Sequence, residues 1–402
     1  MNTVTPRRWA HTYPWLGEEP LPTAPYTSPA FYQAEVEHVF KKVWLCLGRV
    51  EELPTPGSYK LKRLDFASTS VLAIHGRDGV IRAFHNTCSH RGNSVVVAEG
   101  DWDQCGRKQA FTCRFHAWSY SDRGELLGVL EPQGMPACFD KTQHGLTPIA
   151  CATWEGFVFI NLAAEPRVSL ADFLGDMGHH FAAYPYHELT QNFTYHTVLN
   201  CNWKVGVDAF AEAYHVTTIH AGSFPGTFST GLQMVKLLGD HRTTAVCFDP
   251  PRESPPVAKL AQSKARGSLV NQVAGSSLPP TLNDEQRNDY AFELSVFFPH
   301  WLLHVAEGIW FTHQFWPLGH DRCLWEGKYY VKPPRTHSER WAQEHAIVLQ
   351  RNAWLEDTAT MEGTHYALAS GAKPYMQLHD EEVLVRHGHH VLNQYLPASQ
   401  AR

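Results

Sequence analysis

The 402-residue sequence contains no long apolar run, no excess of basic charge and no compact set of paired cysteines. Without a stretch of about 18 uncharged apolar residues, it is not expected to span a membrane as a helix. Lys and Arg number 34 against 40 Asp and Glu, and no basic run occurs, which argues against nucleic-acid binding through phosphate neutralisation. The N-terminus holds two Arg with no apolar segment behind them, so we predict no secretory signal.

The nine cysteines are odd in number and scattered along the chain, which is atypical of a disulfide framework. We therefore predict reduced thiols, available to metals, in a soluble cytoplasmic protein. The sequence is rich instead in histidine, with 25 residues, and neutral imidazole is a common metal ligand. Hydrophobic residues make up 43% and charged residues 18%, a balance typical of globular domains.

Two regions differ in their pattern. Short β-type runs broken by turn signals fill residues 43–162, which predicts a small antiparallel β domain. Residues 163–402 mix both patterns: a helix is predicted to begin near Val205, three strands to follow one another over residues 294–333, and one long helix to come after them. Residues 250–288 are rich in Pro, Ser and Gly and are predicted to form a long mobile loop.

The first candidate metal motif combines Cys88-x-His90 with Cys113-x-x-His116. Two thiolates and two imidazoles suit either a structural zinc ion or an iron–sulfur cluster. Each pair holds one Cys and one His, which favours a cluster in which one iron takes two Cys and the other takes two His. The 22 residues between the pairs are predicted to form a loop over residues 100–108, in which Cys105 is a plain thiol.

The second candidate motif is Glu212-x-x-His215-x4-His220. On an ideal helix Glu212 and His215 share a face, whereas His215 and His220 point about 140° apart, so only a kinked or ending helix aims both imidazoles at one ion. Two His need a carboxylate to complete the facial triad of a non-haem Fe(II) oxygenase. Three acidic residues of the long helix are candidates: Glu356, Asp357 and Glu362.

With these motifs the chain resembles the α (large catalytic) subunits of Rieske non-haem iron oxygenases, the aromatic-ring-hydroxylating dioxygenase family. The similarity rests on CSHRG from Cys88, CRFHAWSY from Cys113, WEGFVFINL from Trp154 and NWKVGVDAFAEAYHVTTIH from Asn202. It implies an α+β fold: a small antiparallel β Rieske [2Fe–2S] domain, and an α+β catalytic domain with a curved antiparallel sheet flanked by helices. The implied domains are an N-terminal helical segment that packs with the catalytic domain, the Rieske domain and the catalytic mononuclear iron domain, at residues 1–42, 43–162 and 163–402.

The resemblance also implies two sets of metal ligands. Met361 and Glu362 set the register that selects Asp357 as the third iron ligand and leaves Glu356 as an exposed helix charge. The expected cluster ligands are Cys88, His90, Cys113 and His116, and the expected Fe(II) ligands are His215, His220 and Asp357.

The resemblance further implies a carboxylate that links an iron ligand to a neighbouring subunit's cluster in a head-to-tail trimer. Here Glu212 would join His215 to His116 of the neighbour, although the family usually has Asp at this position. Asp208, one turn earlier, is the second candidate for this catalytic link. Phe210 is expected to form a wall of the substrate pocket, beside Ala209 where many arene dioxygenases carry Asn.

The implied function is that of a terminal oxygenase component. It would use O2 and electrons from NAD(P)H, delivered by a separate reductase with or without a ferredoxin, to hydroxylate a hydrophobic, aromatic or polycyclic substrate. Two alternatives remain open: a monooxygenase or demethylase acting on a non-arene such as a quaternary amine, and a Rieske electron-transfer protein without oxygenase activity.

The expected assembly is an α3 homotrimer or an α3β3 complex, with no nucleic-acid or membrane partner. The histidines of residues 379–390 are expected to lie in a solvated C-terminal segment.

Overall fold

The chain, described here from a computed structural model, divides into two compact units, Val36–Phe173 and Met1–Glu35 with Leu174–Arg402. The domains predicted from the sequence, at residues 1–42, 43–162 and 163–402, stay a prediction in their bounds and their roles. Most of the loop predicted at residues 250–288 lies outside the described residues. The structure describes residues 8–98, 100, 103–249, 256, 260–261 and 278–398.

The described elements mix helices with antiparallel strands, which confirms the predicted α+β class. The helices are α1 Trp9–Thr12, α2 Ala24–Thr27, α3 Pro29–Glu35, α4 Leu170–Phe181, α5 Trp203–Ala209, α6 Val216–Ile219, α7 His337–Ala369 and α8 Val383–Tyr395. The strands are β1 Leu21–Pro22, β2 Leu45–Arg49, β3 Ser58–Leu64, β4 Thr69–His75, β5 Ile81–His85, β6 Gln104–Arg107, β7 Phe111–Thr112, β8 Ser119–Tyr120, β9 Leu126–Gly128, β10 Pro148–Trp154, β11 Phe157–Asn161, β12 Gln191–Leu199, β13 Gln233–Leu238, β14 His241–Cys247, β15 Tyr290–Phe297, β16 Trp301–Ala306, β17 Ile309–Pro317, β18 Cys323–Val331 and β19 Tyr375–Met376. A π-helical turn covers Val36–Phe40, and 3-10 turns cover Pro14–Leu16, Val50–Glu52, Asp65–Ala67, Pro132–Gly134, Lys141–Gln143, Tyr186–Glu188 and Asp380–Glu382.

The unit Val36–Phe173 is built on a seven-stranded antiparallel sheet in the order β2-β11-β10-β5-β4-β3-β6, beside a three-stranded sheet β7-β8-β9. Gly79 closes the β4–β5 hairpin with φ 78°, a conformation that suits glycine. The loop predicted at residues 100–108 is wrong in part, since Gln104–Arg107 forms the edge strand β6 and pairs with β3. Without this strand, the backbone groups on that side of β3 would lack partners.

The other unit holds a seven-stranded antiparallel sheet in the order β12-β18-β17-β16-β15-β14-β13. Three strands were predicted over residues 294–333, but the structure has four there, because a turn at Phe298–Pro299–His300 separates β15 from β16. Pro299 has no N–H to donate to a sheet ladder, which favours this break. Strands β16 and β17 are buried along their whole length, as expected for a sheet covered on both faces.

Two helices carry the candidate site residues of this unit. Helix α5 begins at Trp203 rather than near Val205, because the Asn202 side chain caps it by accepting a hydrogen bond from Lys204 N at 3.1 Å. The long helix is confirmed as α7, capped by Thr336, whose hydroxyl accepts from Glu339 N at 3.1 Å. Helix α5 packs against α7 and β17, so the two helices stand together on the sheet. Among the described residues, no helix combines the length and the apolar character needed to cross a bilayer.

The histidines of residues 379–390 are only partly solvated, so that prediction is wrong for two of them. His387 and His389 lie on α8 and are 2% and 7% exposed. His389 Nε2 lies 2.6 Å from the Tyr26 hydroxyl, and burial lowers the pKa of His389 to about 3. The segment forms an amphipathic helix with one buried face. This burial could not be predicted from the sequence, because the segment is rich in polar residues.

A buried ion pair joins α3 to α5. Lys204 Nζ lies 2.6 Å from Glu35 Oε1, and Trp203 Nε1 donates to Glu35 Oε2 at 3.1 Å. The Lys204 and Glu35 side chains are 5% and 0% exposed. Burial raises the pKa of Glu35 and lowers that of Lys204, and each charge opposes the shift of the other. Removing one partner would leave an unpaired charge in the interior.

We expect Lys204→Met to lower the free energy of unfolding by about 3–5 kcal/mol, the usual cost of an orphaned buried charge. The double variant Glu35→Leu/Lys204→Met should recover much of that loss. Chemical denaturation followed by tryptophan fluorescence measures both. Lys41→Met serves as the control, because the Lys41–Glu37 pair is exposed and should contribute less than about 1 kcal/mol. A single Lys204→Met variant as stable as the parent would contradict the prediction.

Candidate functional site

The two Cys/His motifs of the unit Val36–Phe173 form two matching turns. Cys88 N donates to Asn93 O at 2.8 Å and Gly92 N to Cys88 O at 2.9 Å. In the other turn, Cys113 N donates to Trp118 O at 2.9 Å and Ala117 N to Cys113 O at 3.0 Å. Each turn fixes its Cys and lets the following His project from the loop.

The two Cys side chains are buried and the two His side chains are more exposed, an arrangement that suits a mixed-ligand cluster. Cys88 and Cys113 are 3% and 2% exposed, whereas His90 is exposed and His116 half-buried, with ring centroids 4.6 Å apart. Each sulfur has a polar neighbour: the Tyr120 hydroxyl lies 3.1 Å from Cys88 Sγ, and Asn93 Nδ2 donates to Cys113 Sγ at 3.5 Å. Such donors stabilise thiolates. The residues fit a [2Fe–2S] cluster, and their assignment as its ligands stays a prediction.

In the other unit, the helix predicted to carry Glu212 and His215 ends early. Helix α5 stops at Ala209, and only the single turn α6 follows, between His215 and His220. The Glu212 carboxylate accepts hydrogen bonds from the backbone N–H groups of Tyr214 and His215, groups that a continuous helix would pair with its own carbonyls. The break places the two imidazoles side by side, with ring centroids 5.2 Å apart.

Asp357 completes a three-residue group with these histidines. Its Oδ1 atom lies 3.3 Å from His215 Nε2 and 3.3 Å from His220 Nε2, and one ligand atom from each residue lies within 4.8 Å of the others. Asp357 is 3% exposed, and its Oδ1 is buried without a hydrogen-bond partner in the described part of the chain. A bound cation would satisfy this atom.

A carboxylate contacts the Nδ1 atom of each imidazole and thereby orients the ring. Glu212 hydrogen-bonds His215 Nδ1, and Glu356 Oε2 lies 2.9 Å from His220 Nδ1. Such contacts place the proton on Nδ1 and leave Nε2 free for a metal ion. Burial lowers the pKa of His215, but the Asp357 and Glu212 carboxylates outweigh it and raise that pKa to about 10. This concentration of negative charge around two imidazoles favours a divalent cation.

The donor set fits a non-haem iron ion. Two ligands at right angles around an ion about 2.1 Å away lie roughly 3 Å apart, close to the observed separations. Two His and one carboxylate on one face leave the remaining positions open to dioxygen or water. The structure thus brings His215, His220 and Asp357 together, although their identity as iron ligands stays a prediction.

Glu356 is a residue whose role was missed from the sequence. It was expected to be an exposed helix charge, yet it also accepts a hydrogen bond from the Ser223 hydroxyl at 2.6 Å, and its side chain is only 28% exposed. It precedes Asp357 in the helix by one position, on the side facing His220. Its position next to Asp357 was the one signal in the sequence for this role, but no residue near Glu356 in the sequence indicates that His220 lies beside it.

We expect Glu356→Gln to weaken Fe(II) binding by about 10- to 100-fold, because it removes the charged acceptor that orients His220. Titration against a chromogenic Fe(II) chelator measures this, and the visible absorption of the cluster should be unchanged. Glu344→Gln is the matched control, since Glu344 lies on the same helix and pairs with the exposed Arg340. Equal Fe(II) affinity in both variants would show that Glu356 does not orient the ligand.

A cavity adjoins the three-residue group. Ala209 and Phe210 line it, as do the neutral polar side chains of His304 and Gln350. Among the described residues its wall contains no Lys or Arg. The aromatic wall consists of Phe210, Phe224, Phe228, Phe292, Phe311 and Trp354. This composition is typical of a small-molecule site with a few polar groups that fix orientation.

Asp208, the second candidate for the inter-subunit link, has a different partner. It accepts a hydrogen bond from the Tyr26 hydroxyl, and burial raises its pKa to about 6 although that bond opposes the shift. Glu212, not Asp208, hydrogen-bonds His215. The part of the predicted link that lies within one chain is therefore present at Glu212, while its part in a neighbouring subunit stays a prediction.

Two protein families match the chain. The Rieske [2Fe-2S] domain matches residues 43–139, and the catalytic domain of the ring-hydroxylating α subunit matches residues 179–398, more than half of the sequence. The two matches cover both candidate metal motifs.

Three curated relatives and one solved structure are among those that are similar to the chain. The glycine betaine monooxygenase oxygenase subunit of Pseudomonas aeruginosa is 32% identical over 215 residues, which is 53% of this chain and 46% of the relative. The carnitine monooxygenase oxygenase subunit of Escherichia coli is 32% identical over 205 residues (50% and 52%), and the chlorobenzene dioxygenase α subunit of a Cupriavidus species is 30% identical over 223 residues (53% and 47%). The matches thus span about half the length of these relatives. The structure of a quaternary ammonium Rieske monooxygenase superimposes with a TM-score of 0.76 at 21% identity, covering 94% of this chain and 95% of the other, which shows a shared fold.

Proposed function

The chain belongs to the family of ring-hydroxylating α subunits that carry a Rieske [2Fe–2S] domain, and from this premise we propose that it is the terminal oxygenase component of a Rieske system. The observation that carries the proposal is the group His215, His220 and Asp357 beside an apolar cavity. An electron-transfer protein without oxygenase activity would need neither the second group nor the cavity.

In this proposal His215, His220 and Asp357 hold Fe(II), and Cys88, His90, Cys113 and His116 hold the cluster. When bound, the iron supplies the site at which O2 is activated, and the cluster supplies electrons one at a time. Glu212 and Glu356 keep the imidazole protons on Nδ1. The aromatic wall excludes water from the reacting end of the cavity, which limits loss of reducing equivalents without product.

For the substrate we propose monooxygenation of an amine that carries N-methyl groups. Two of the three relatives are named for glycine betaine and carnitine, which are quaternary amines. The aromatic or polycyclic substrate that the sequence first suggested is less well supported than this alternative. Aromatic faces also suit a quaternary ammonium group, which they attract by cation–π interaction. One oxygen atom of O2 would enter an N-methyl C–H bond and the other would leave as water, consuming two electrons and two protons.

The electrons are proposed to come from NAD(P)H through a separate reductase, with or without a ferredoxin. Oxygenase subunits in an α3 or α3β3 assembly would place each cluster beside a neighbour's iron. Purified protein supplied with a surrogate reductase, NADH and labelled dioxygen tests this function on N-methylated amines and arenes. Formaldehyde released together with the demethylated amine supports amine monooxygenation, a cis-diol with two labelled atoms supports arene dioxygenation, and no oxygenated product contradicts both.

A further inference from the structure

We infer that His304 binds the polar end of the substrate, and that this end is an uncharged group with an accepting oxygen, such as an amide, ester, ketone or hydroxyl, rather than a carboxylate. The inference rests on the proposed function, because it names the class of molecule that the same cavity takes. It separates this chain from the relatives named for glycine betaine and carnitine, both of which carry a carboxylate.

His304 lies on β16 with its ring in the cavity wall. It stacks on Phe311 with ring centroids 4.6 Å apart and meets Phe292 edge-on at 6.1 Å. It is 2% exposed, and neither ring nitrogen has a hydrogen-bond partner among the described residues. The neighbouring His313 differs, since its Nδ1 accepts a hydrogen bond from Trp325 Nε1 at 3.1 Å.

An unpaired polar group costs roughly 1–3 kcal/mol when buried, so a histidine with two such nitrogens in a ligand cavity points to a ligand. The indole Nε1 of Trp354, also in the wall, is likewise buried without a partner in the described part of the chain. A neutral imidazole and an indole each offer one N–H donor. Together they call for an accepting oxygen on the ligand.

The charge of the wall argues against a carboxylate. Burial lowers the pKa of His304 to about 3, so its ring is neutral at pH 7 and supplies no positive charge. Within the described residues the wall has no Lys or Arg, and its carboxylates are those of Glu212 and Asp357. A carboxylate at His304 would therefore be buried without a counter-charge, which is far more costly than burying a neutral carbonyl. Gln350, 7% exposed, adds a further neutral polar side chain to the wall.

Calorimetric binding to the anaerobic holoenzyme, loaded with cluster and Fe(II), tests the inference with matched pairs of probes. The pairs are glycine betaine and its amide, benzoate and benzamide, and 1-naphthoate and 1-naphthamide. We expect the amide of at least one pair to bind about tenfold or more tightly than its acid, the ratio that corresponds to about 1.4 kcal/mol. Tighter or equal binding of the acid in all three pairs, or binding of no amide, would overturn the inference.

His304→Leu should reduce the amide preference to less than about threefold, whereas His304→Gln, which keeps an N–H donor, should retain part of it. Phe228→Leu is the control for a general change in the cavity, because it removes wall area without a polar group and should weaken the amide and the acid alike. An unchanged preference in His304→Leu would overturn the assignment to His304. Since calorimetry needs no turnover, iron content and labelled-product analysis test the proposed function independently of this outcome.

Discussion

Asp357→Ala is expected to lose the mononuclear iron and all detectable product formation while keeping the visible absorption of the Rieske cluster. Asp357 Oδ1 lies 3.3 Å from the Nε2 atoms of both His215 and His220, so this carboxylate oxygen lies between the two imidazoles. Two imidazoles without it would bind Fe(II) more weakly than a complete facial triad. The loss of affinity should exceed the 10- to 100-fold expected for an orienting residue.

The same helix offers a matched control for this prediction. Glu362 was one of the three acidic candidates, but its carboxylate accepts hydrogen bonds from Asn200 N at 2.8 Å and Asn200 Nδ2 at 3.0 Å. Glu362→Ala should therefore retain iron. Metal analysis and acid-labile sulfide measured on the same samples separate the two centres. Iron retained by Asp357→Ala and lost by Glu362→Ala would place the third ligand at Glu362 and contradict the register chosen from the sequence.

Motifs within a few residues of each other could be predicted from the sequence because their spacing limits their geometry. The two Cys/His pairs lie in short turns closed by their own backbone hydrogen bonds, so their grouping as one candidate site needs little tertiary information. Asp357 is different: it lies 137 residues after His220, and only the family resemblance linked it to the histidines. The sequence pattern predicted a small antiparallel β domain and a mixed second region, and the family resemblance implied the α+β class.

The errors have a common cause, which is that side-chain contacts override local periodicity. Glu212 binds two backbone N–H groups that a helix would use, so the helix predicted through it ends before it. Polar residues near the C-terminus were expected in solvent, but the contact of His389 with Tyr26 spans 363 positions. Glu356 was missed for the same reason, since its partner His220 is distant in the sequence. Such contacts are fixed only when the sheet and helices have packed.

Glu212→Gln is expected to keep both metals and to abolish nearly all coupled turnover. Glu212 is not among the three residues grouped around the candidate ion, yet its carboxylate hydrogen-bonds His215 Nδ1 and the His215 backbone N–H. Its side chain is 10% exposed, so the charge is largely shielded from water. A charge-assisted hydrogen bond is roughly twice as strong as a neutral one, and the amide of Gln removes the charge while keeping the size.

The large effect follows if Glu212 also contacts His116 of a neighbouring subunit, as the family resemblance implies. Electrons would then pass from cluster to iron across this carboxylate, and an uncharged amide would both weaken the link and misplace His215. Single-turnover reoxidation of the reduced cluster, followed by its visible absorption, isolates this step from substrate chemistry. Displacement by about an ångström is enough to slow a positioned reaction markedly, so Glu212→Asp should be partly active.

Asp208→Asn is the matched control because Asp208 precedes Glu212 by four residues and is also a partly buried carboxylate. Its partner is the Tyr26 hydroxyl, and His389 Nε2 meets the same hydroxyl at 2.6 Å, so its loss should disturb packing more than electron transfer. Cluster reoxidation at the parental rate in Glu212→Gln, together with slow reoxidation in Asp208→Asn, would assign the link to Asp208. Slow reoxidation in Glu212→Gln alone would show that electron transfer requires the carboxylate of Glu212. In that variant the iron, the cluster and the side-chain size are unchanged, and only the negative charge next to His215 has been removed.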